Sequence, residues 1–288
     1  MRALPGLFAV LLSIALAVPG RNDGQAGARE VIALARAALG GEATLEAVRS
    51  LSASGTFRRP LPFGGAPTSG ELDLELLLPD RLKRTETMGL PGRPWFLLVS
   101  ALDGDQAWVG PAVTGPFPRG GMESASPTDR GEMWLREMRA ERTRYLAALL
   151  LRTPSSEVRF SYVGEVEAPH GRSDVVDITA PDGFAARLFL DQTSHLPLML
   201  TYAGLRPLFR AAEAPLEEAG IPEARQPASA GTPTLTLFLS DYREVDGIRL
   251  PHSLSRATNG EMVEEWEIDG WRVNPALEAA SFRRTSEP

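Results

Sequence analysis

The 288 residues contain no cysteine. That excludes disulfides, thiol catalysis, cysteine-ligated zinc and iron–sulfur clusters, and it removes the acylated cysteine a lipoprotein would need. Lysine is almost missing as well: Lys83 is the only one, and the other cations are arginines. Alongside abundant Ala, Gly and Pro, this usage reflects a GC-rich genome rather than a binding feature. Positive charge is in deficit, with a formal net charge of -7. Nucleic-acid affinity rests on neutralising phosphates, so no nucleic-acid partner is expected. Histidine is scarce: His170, His195 and His252 stand alone, none with a partner at i+2 or i+4. No local metal motif results, and each reads as a surface or strand-end residue. There is no Gly-x-Gly-x-x-Gly after a strand, no Gly-Lys-Ser/Thr phosphate loop and no Gly-x-Ser-x-Gly nucleophile elbow. No cofactor, no metal and no catalytic activity are expected.

Long apolar runs are also lacking after the first residues. Arg2 is followed by an almost wholly apolar stretch from Leu4 to Ala17. Ala15-Leu16-Ala17 has the small-x-small pattern of a cleavage site, and Val18-Pro19-Gly20 follows. The order is that of a secretory signal peptide, and the run is shorter than the ~20 residues of a membrane span. The expectation is a signal at 1–17, a mature chain starting near Val18, and a periplasmic location. Loss of Arg2 takes the net charge from -7 to -8. A mature chain of about 270 residues buries roughly three quarters of its surface, so it can dispense with disulfides.

What is present is mostly strand pattern. Gln25 to Leu39 carries Val31, Leu34, Ala35, Ala38 and Leu39 at helical spacing, and Gly40-Gly41 ends it. Glu42 to Arg49 suits one or two further turns. From Leu51 the period becomes two. Leu72, Leu74, Leu76 and Leu78 face away from Glu71, Asp73 and Glu75. Val158, Phe160 and Tyr162 oppose Glu157, Arg159 and Ser161; Leu188 and Leu190 oppose Arg187 and Asp191; Leu235, Leu237 and Leu239 oppose Thr234, Thr236 and Ser240. One apolar and one wet face per strand is the mark of an antiparallel sheet covered on a single side. Five pairs, Asp103-Gly104, Asp182-Gly183, Asp246-Gly247, Asn259-Gly260 and Asp269-Gly270, each sit between strand-like runs. Such pairs favour the tight turns of hairpins, so the strands should follow one another as a meander.

A long amphipathic helix is predicted over 129–151, with Asp129 and Glu132 spaced as a capping box. Trp134, Met138, Tyr145 and Leu149 form its apolar stripe, widened by Leu135, Leu146 and Leu150. Arg136, Glu137, Arg139, Glu141 and Arg142 are expected on its solvent side. Glu264, Glu265, Glu267 and Asp269 alternate with Trp266 and Ile268, so this acidic run is read as mostly a solvated strand face rather than a carboxylate pair across a cleft. Gly110 to Pro127 and Gly204 to Pro233 are rich in loop-forming residues, and loops of that length are lids, binding loops or tolerated insertions.

The segment Asp241-Tyr242-Arg243-Glu244-Val245-Asp246-Gly247-Ile248-Arg249-Leu250-Pro251-His252 resembles one common in bacterial outer-membrane lipoprotein-sorting proteins of the LolA-like superfamily. Ala38-Leu39-Gly40-Gly41 with Leu51-Ser52-Ala53-Ser54-Gly55 is similar to how such domains begin. Leu78-Pro79-Asp80-Arg81, Arg187-Leu188-Phe189-Leu190-Asp191 and Leu196-Pro197-Leu198 also fit. The resemblance implies a mainly β (α+β) fold: a strongly curved antiparallel half-barrel, with helices closing its open side over a hydrophobic cavity. One such domain would fill 25–285, with a Pro/Ala-rich insertion at about 204–233. Members carry acyl chains of lipids or lipoproteins, or act as sensors. The expected partners are therefore acyl chains and a membrane protein that donates or accepts them; the alternative is a non-catalytic protein-interaction or sensor module. Cavity candidates are Leu72, Leu74, Leu76, Phe160, Tyr162, Leu188, Leu190, Leu235 and Leu237. Trp134, Met138, Tyr145 and Leu149 are the candidates on the covering helix, and the two long loops are candidate lids.

Overall fold

The computed structural model describes residues 21–60, 67–90, 93–113, 127–151, 158–168, 171–180, 183–204 and 232–284. The expected signal segment, His170, most of both candidate lid loops and the side chain of Asp129 lie outside the described residues. Among the described residues the alternating segments form twelve strands: β1 (Ser50–Arg59), β2 (Thr68–Leu77), β3 (Arg81–Leu90), β4 (Arg93–Asp103), β5 (Gln106–Val113), β6 (Arg159–Ala168), β7 (Gly171–Thr179), β8 (Ala185–Asp191), β9 (Pro197–Ala203), β10 (Thr234–Val245), β11 (Ile248–Thr258) and β12 (Glu261–Val273). The helices are α1 (Arg21–Leu39), α2 (Glu42–Glu46) and α3 (Pro127–Ala148).

All twelve strands belong to one sheet, in the order β5-β4-β3-β2-β1-β12-β11-β10-β9-β8-β7-β6. Every pairing is antiparallel, and the first strand is zipped to the last through Leu51–Val273 and Phe57–Trp266. β5 and β6 are the edges, so the sheet does not close into a barrel. It is nevertheless bent around α3. That helix touches β3, β4 and β5 and also β9. In a flat sheet, β3 and β9 would stand six strand spacings apart, or roughly 29 Å at ~4.8 Å each. A helix is only ~10 Å across, so both halves of the sheet must curl toward it.

The tight turns follow the dipeptides. Asp246 and Gly247 have φ of 50° and 79°, and Asn259 and Gly260 have 50° and 83°. Each pair joins strands whose adjoining residues are paired, Val245 with Ile248 and Thr258 with Glu261, as a two-residue type I′ loop requires. Gly104 and Gly183 lie in the β4–β5 and β7–β8 turns with φ of 63° and 86°. Asp269-Gly270 departs from the expectation. It lies inside β12, where the register passes from Ser54–Gly270 to Gly55–Ile268 and leaves Asp269 as the extra residue of a bulge. Such a bulge adds local twist to the strand that carries it.

The apolar faces meet in one core. Leu51 and Phe57 of β1, Leu82 of β3, Leu200 of β9, Leu254 of β11 and Trp266 of β12 are all buried there. α1 packs Ala28, Ala35 and Leu39 onto this core and crosses from β6 to the β10–β11 turn. Gly40 ends it with φ of 140°, so close to the turn that a Cβ would stand 2.3 Å from the carbonyl oxygen of Gly247. α3 ends at Ala148, somewhat before the expected limit. The amide of Leu151 donates to Leu146 O at 2.8 Å, that of Leu150 donates to Ala147 O at 3.2 Å, and Leu150 has φ of 51°. This is the C-terminal motif usually served by glycine; here burial of Leu150 offsets the strained backbone. Arg36 of α1 donates to Leu150 O at 2.6 Å and ties the two helices together.

Candidate binding site

The sequence candidates converge. Leu72, Leu74 and Leu76 of β2, Leu188 and Leu190 of β8, and Leu235 and Leu237 of β10 lie in the core, each no more than 2% exposed. Phe160 and Tyr162 of β6 are half-buried against it. The Tyr162 hydroxyl donates to Asp174 Oδ1 at 2.9 Å, and burial with this bond pushes its pKa up. On α3, Met138, Tyr145 and Leu149 are buried in the same cluster, and Trp134 is half-buried. Among the described residues, a recess of about 380 Å³ lies between α1 and β6, lined in part by Ala28, Ile32, Phe160, Arg29 and Arg159.

The polar interior is what the sequence reading missed. All ten residues from Glu141 to Leu150 are buried. Arg136 and Arg139 are exposed as expected, but Glu141 and Arg142 are not on a solvent face, and Glu137 is half-covered. The curled sheet surrounds the second half of α3, so its polar side meets protein instead of water. Glu264 is likewise buried, whereas Glu267 and Asp269 are exposed and Glu265 is partly so. His252 also departs from its expected place. It is buried within β11, its Nδ1 3.1 Å from Leu250 O.

These groups form one ionic network on the concave side. Glu264 Oε1 accepts from Arg84 at 2.6 Å and from Arg59 at 2.6 Å and 2.9 Å. Glu86 Oε1 accepts from Arg59 at 2.6 Å and pairs with Arg84 at 2.5 Å. Arg256 reaches Glu264 Oε2 at 3.8 Å and donates from one terminal nitrogen to both Glu141 Oε1 and the Tyr145 hydroxyl. Tyr145 donates to Glu141 at 2.9 Å. Arg144 donates to Glu137 at 2.6 Å and to the second oxygen of Glu141 at 3.4 Å. Aromatic faces line the cations: Arg84 and Arg256 lie 4.4 Å and 4.8 Å from the Trp266 ring, and Arg144 lies 4.1 Å from that of Tyr202. Such contacts are worth most when desolvated.

The electrostatics follow from burial and neighbours. Burial alone would push the Glu264 carboxyl up, but Arg84, Arg59 and Arg256 more than reverse this and bring it down to about 2. Burial likewise opposes ionisation of Glu141, and Arg256 and Arg144 overcome it, so its pKa is lowered. Burial drives the Tyr145 phenol well above its ordinary range, so it remains a donor to Glu141. Desolvation would lower the Arg256 pKa, yet Glu141 and its other neighbours hold it well above the usual value. Glu264, Glu141 and Arg256 therefore keep their charges. The arrangement offers fixed opposite charges beside an apolar wall and Arg-rich anion contacts.

Strand parity was the signal for these residues. Arg84 and Glu86 share the inward parity of Leu82, Arg256 that of Leu254, Glu264 that of Trp266, and Arg59 that of Phe57. The sequence-level error was to let the charge of Glu264 override the phase set by Trp266 two residues on. Among the described residues no group of three or more His, Cys, Asp or Glu side chains could hold a metal ion.

No protein-family model and no curated protein matches the chain. Solved structures do match. A LolA superfamily protein from Nitrosomonas europaea aligns with a TM-score of 0.50 at 10% identity, over 89% of this chain and 97% of its own. A domain from Vibrio parahaemolyticus named for outer membrane lipoprotein sorting aligns with a TM-score of 0.47 at 12% identity, over 91% of this chain and 97% of its own. At such identity the likeness is one of fold, and the fold is the one expected from the C-terminal meander.

Proposed function

We propose, from the fold it has in common with a LolA superfamily protein, that this chain is an exported, non-catalytic carrier. It would hold acyl chains of a lipid or lipoprotein between the concave face of the sheet and α3. The single observation that carries the reading is the composition of that interior. Leucines from β2, β8 and β10 form an apolar wall, while the helix lying on it is joined to the sheet by the ion pair of Glu141 with Arg256. A buried ion pair gives little net stability compared with apolar packing. Withdrawal of the helix would uncover this wall together with Met138, Tyr145 and Leu149 of its own, and the acyl chain would supply the apolar cover in its place. Each buried methylene is worth ~0.8 kcal/mol, so a long acyl chain supplies roughly 10 kcal/mol before ordering costs.

The closed interior motivates the second reading, a protein-interaction or sensor module. Leu76, Leu188 and Leu200 have no exposed surface with α3 in place. Native mass spectrometry and lipid extraction of protein purified from the periplasm separate the two. The carrier reading expects co-purifying lipid and uptake of a fluorescent fatty acid. Reproducible absence of both would leave the module. The same preparation should give an intact mass that starts at Val18; a mass retaining residues 1–17 would contradict export with cleavage.

A further inference from the structure

We infer that the cargo carries an anionic head, a carboxylate or a phosphate monoester, and that this head takes the place of Glu141 on Arg256. The inference rests on the carrier reading and specifies its substrate class. The concave wall holds Arg59, Arg84 and Arg256 against Glu86 and Glu264, a formal charge of +1 from the sheet alone. The acid that completes Arg256 comes from the helix: Glu141, with the Tyr145 hydroxyl beside it. Removal of α3 would leave Arg256 with one long ionic contact among the described residues, 3.8 Å to Glu264. A buried guanidinium in that condition is strongly unfavourable. A neutral hydrocarbon could not relieve it, but a ligand with its own oxyanion could.

The geometry of Arg256 points the same way. Arginine presents a fork that matches two oxygens of a carboxylate or phosphate. Glu141 engages only one terminal nitrogen of that fork, and the Arg256 Nε is buried without a hydrogen-bond partner among the described residues. Arg256 is 4% exposed, and the Trp266 ring 4.8 Å away forms part of the wall around it. The leucine wall for the chain and the cation for the head adjoin, since Leu254 precedes Arg256 by two residues on the inward face of β11. Glu141 is thus the internal stand-in for a ligand head group. An uncharged ester or alcohol of the same chain length would enter at a disadvantage.

The test compares myristate, tetradecyl phosphate and tetradecanol as competitors of a fluorescent fatty acid on the purified mature chain. The wild type is expected to bind at least one of the two anions about tenfold or more tightly than the alcohol, as a charge-assisted hydrogen bond in a desolvated site would give. Whichever anion binds more tightly identifies the head. In Arg256→Met the preference should fall to within about twofold. Because that variant leaves Glu141 unpaired and can fail to fold, Glu141→Met/Arg256→Met is made as well; it buries neither charge alone and should likewise bind anion and alcohol alike. Glu141→Gln should bind anion and alcohol more tightly than wild type by the same factor, because the internal competitor is gone while Arg256 remains. Equal binding of anion and alcohol by the wild type would overturn the head-group site and leave the carrier reading standing. Failure of all three ligands would overturn the carrier reading and this inference with it.

Discussion

Arg256 stands within a few ångströms of both Glu264 and Glu141, the three lie on three different elements, and each is nearly free of solvent. Three guanidiniums around Glu264 keep it ionised. Its pKa in the fold, about 2, lies below the ordinary 4.5. Its contribution to stability is then complete above pH ~4.5 and is lost as pH falls from there toward ~2. A shift of that size corresponds to about 3 kcal/mol. Glu264→Gln should therefore lower stability at neutral pH by roughly 3–5 kcal/mol. It should also flatten the acid limb of the unfolding curve, as urea titrations at pH 7, 5 and 3 would register. An unchanged acid limb in this variant would mean that Glu264 is not the titrating group. The pair across the helix can be apportioned by a double-mutant cycle. Arg256→Met alone should cost about 3–5 kcal/mol, and the added Glu141→Met should restore much of it, because the two together leave no charge stranded.

At the scale of elements, two glycines at the end of α1 separate backbone freedom from close packing. Gly40 and Gly41 both have positive φ, 140° and 91°. A Cβ at Gly40 would meet Gly247 O at 2.3 Å, whereas one at Gly41 would meet no atom within 4 Å. Gly41→Ala therefore carries only the conformational penalty of a side chain at φ 91° and ψ 157°, about 1–3 kcal/mol. Gly40→Ala must in addition push the β10–β11 turn away from α1, and should cost roughly 2–4 kcal/mol. Thermal unfolding of the two variants checks the order, and equal losses would mean that α1 does not bear on that turn. α3 is the element whose environment the local pattern could not convey. Its stripe of Met138, Tyr145 and Leu149 was readable at helical spacing and is buried. Glu141 and Arg142 read as a wet face because a lone helix on a flat sheet would have one. The curled sheet leaves no wet face over that stretch.

For the whole molecule, the proposed carrier role requires α3 to move relative to the sheet. The absence of cysteine makes this directly measurable with introduced labels. Arg139 on α3 and Glu267 on β12 are both exposed and serve as attachment points. Spin labels at Arg139→Cys and Glu267→Cys should move apart by several ångströms on addition of the fatty acid that binds. An unaltered distance distribution with ligand bound would place the chain elsewhere, the recess between α1 and β6 being the next site to examine. The strands, the antiparallel mode and several hairpin turns were legible in the sequence, because side-chain alternation and Asp-Gly or Asn-Gly turns act between neighbours in the chain. The inward position of Arg84, Arg256 and Glu264 was equally written in strand parity, beside Leu82, Leu254 and Trp266. What covers those positions was not. Glu264 meets Arg59, and Arg256 meets Glu141 across 115 residues, only once the first strand has paired with the last and the sheet has bent around α3. Local sequence sets which way each side chain points. Long-range closure alone decides whether it points into water, into leucine or at an opposite charge, because that depends on elements the chain brings together only on folding.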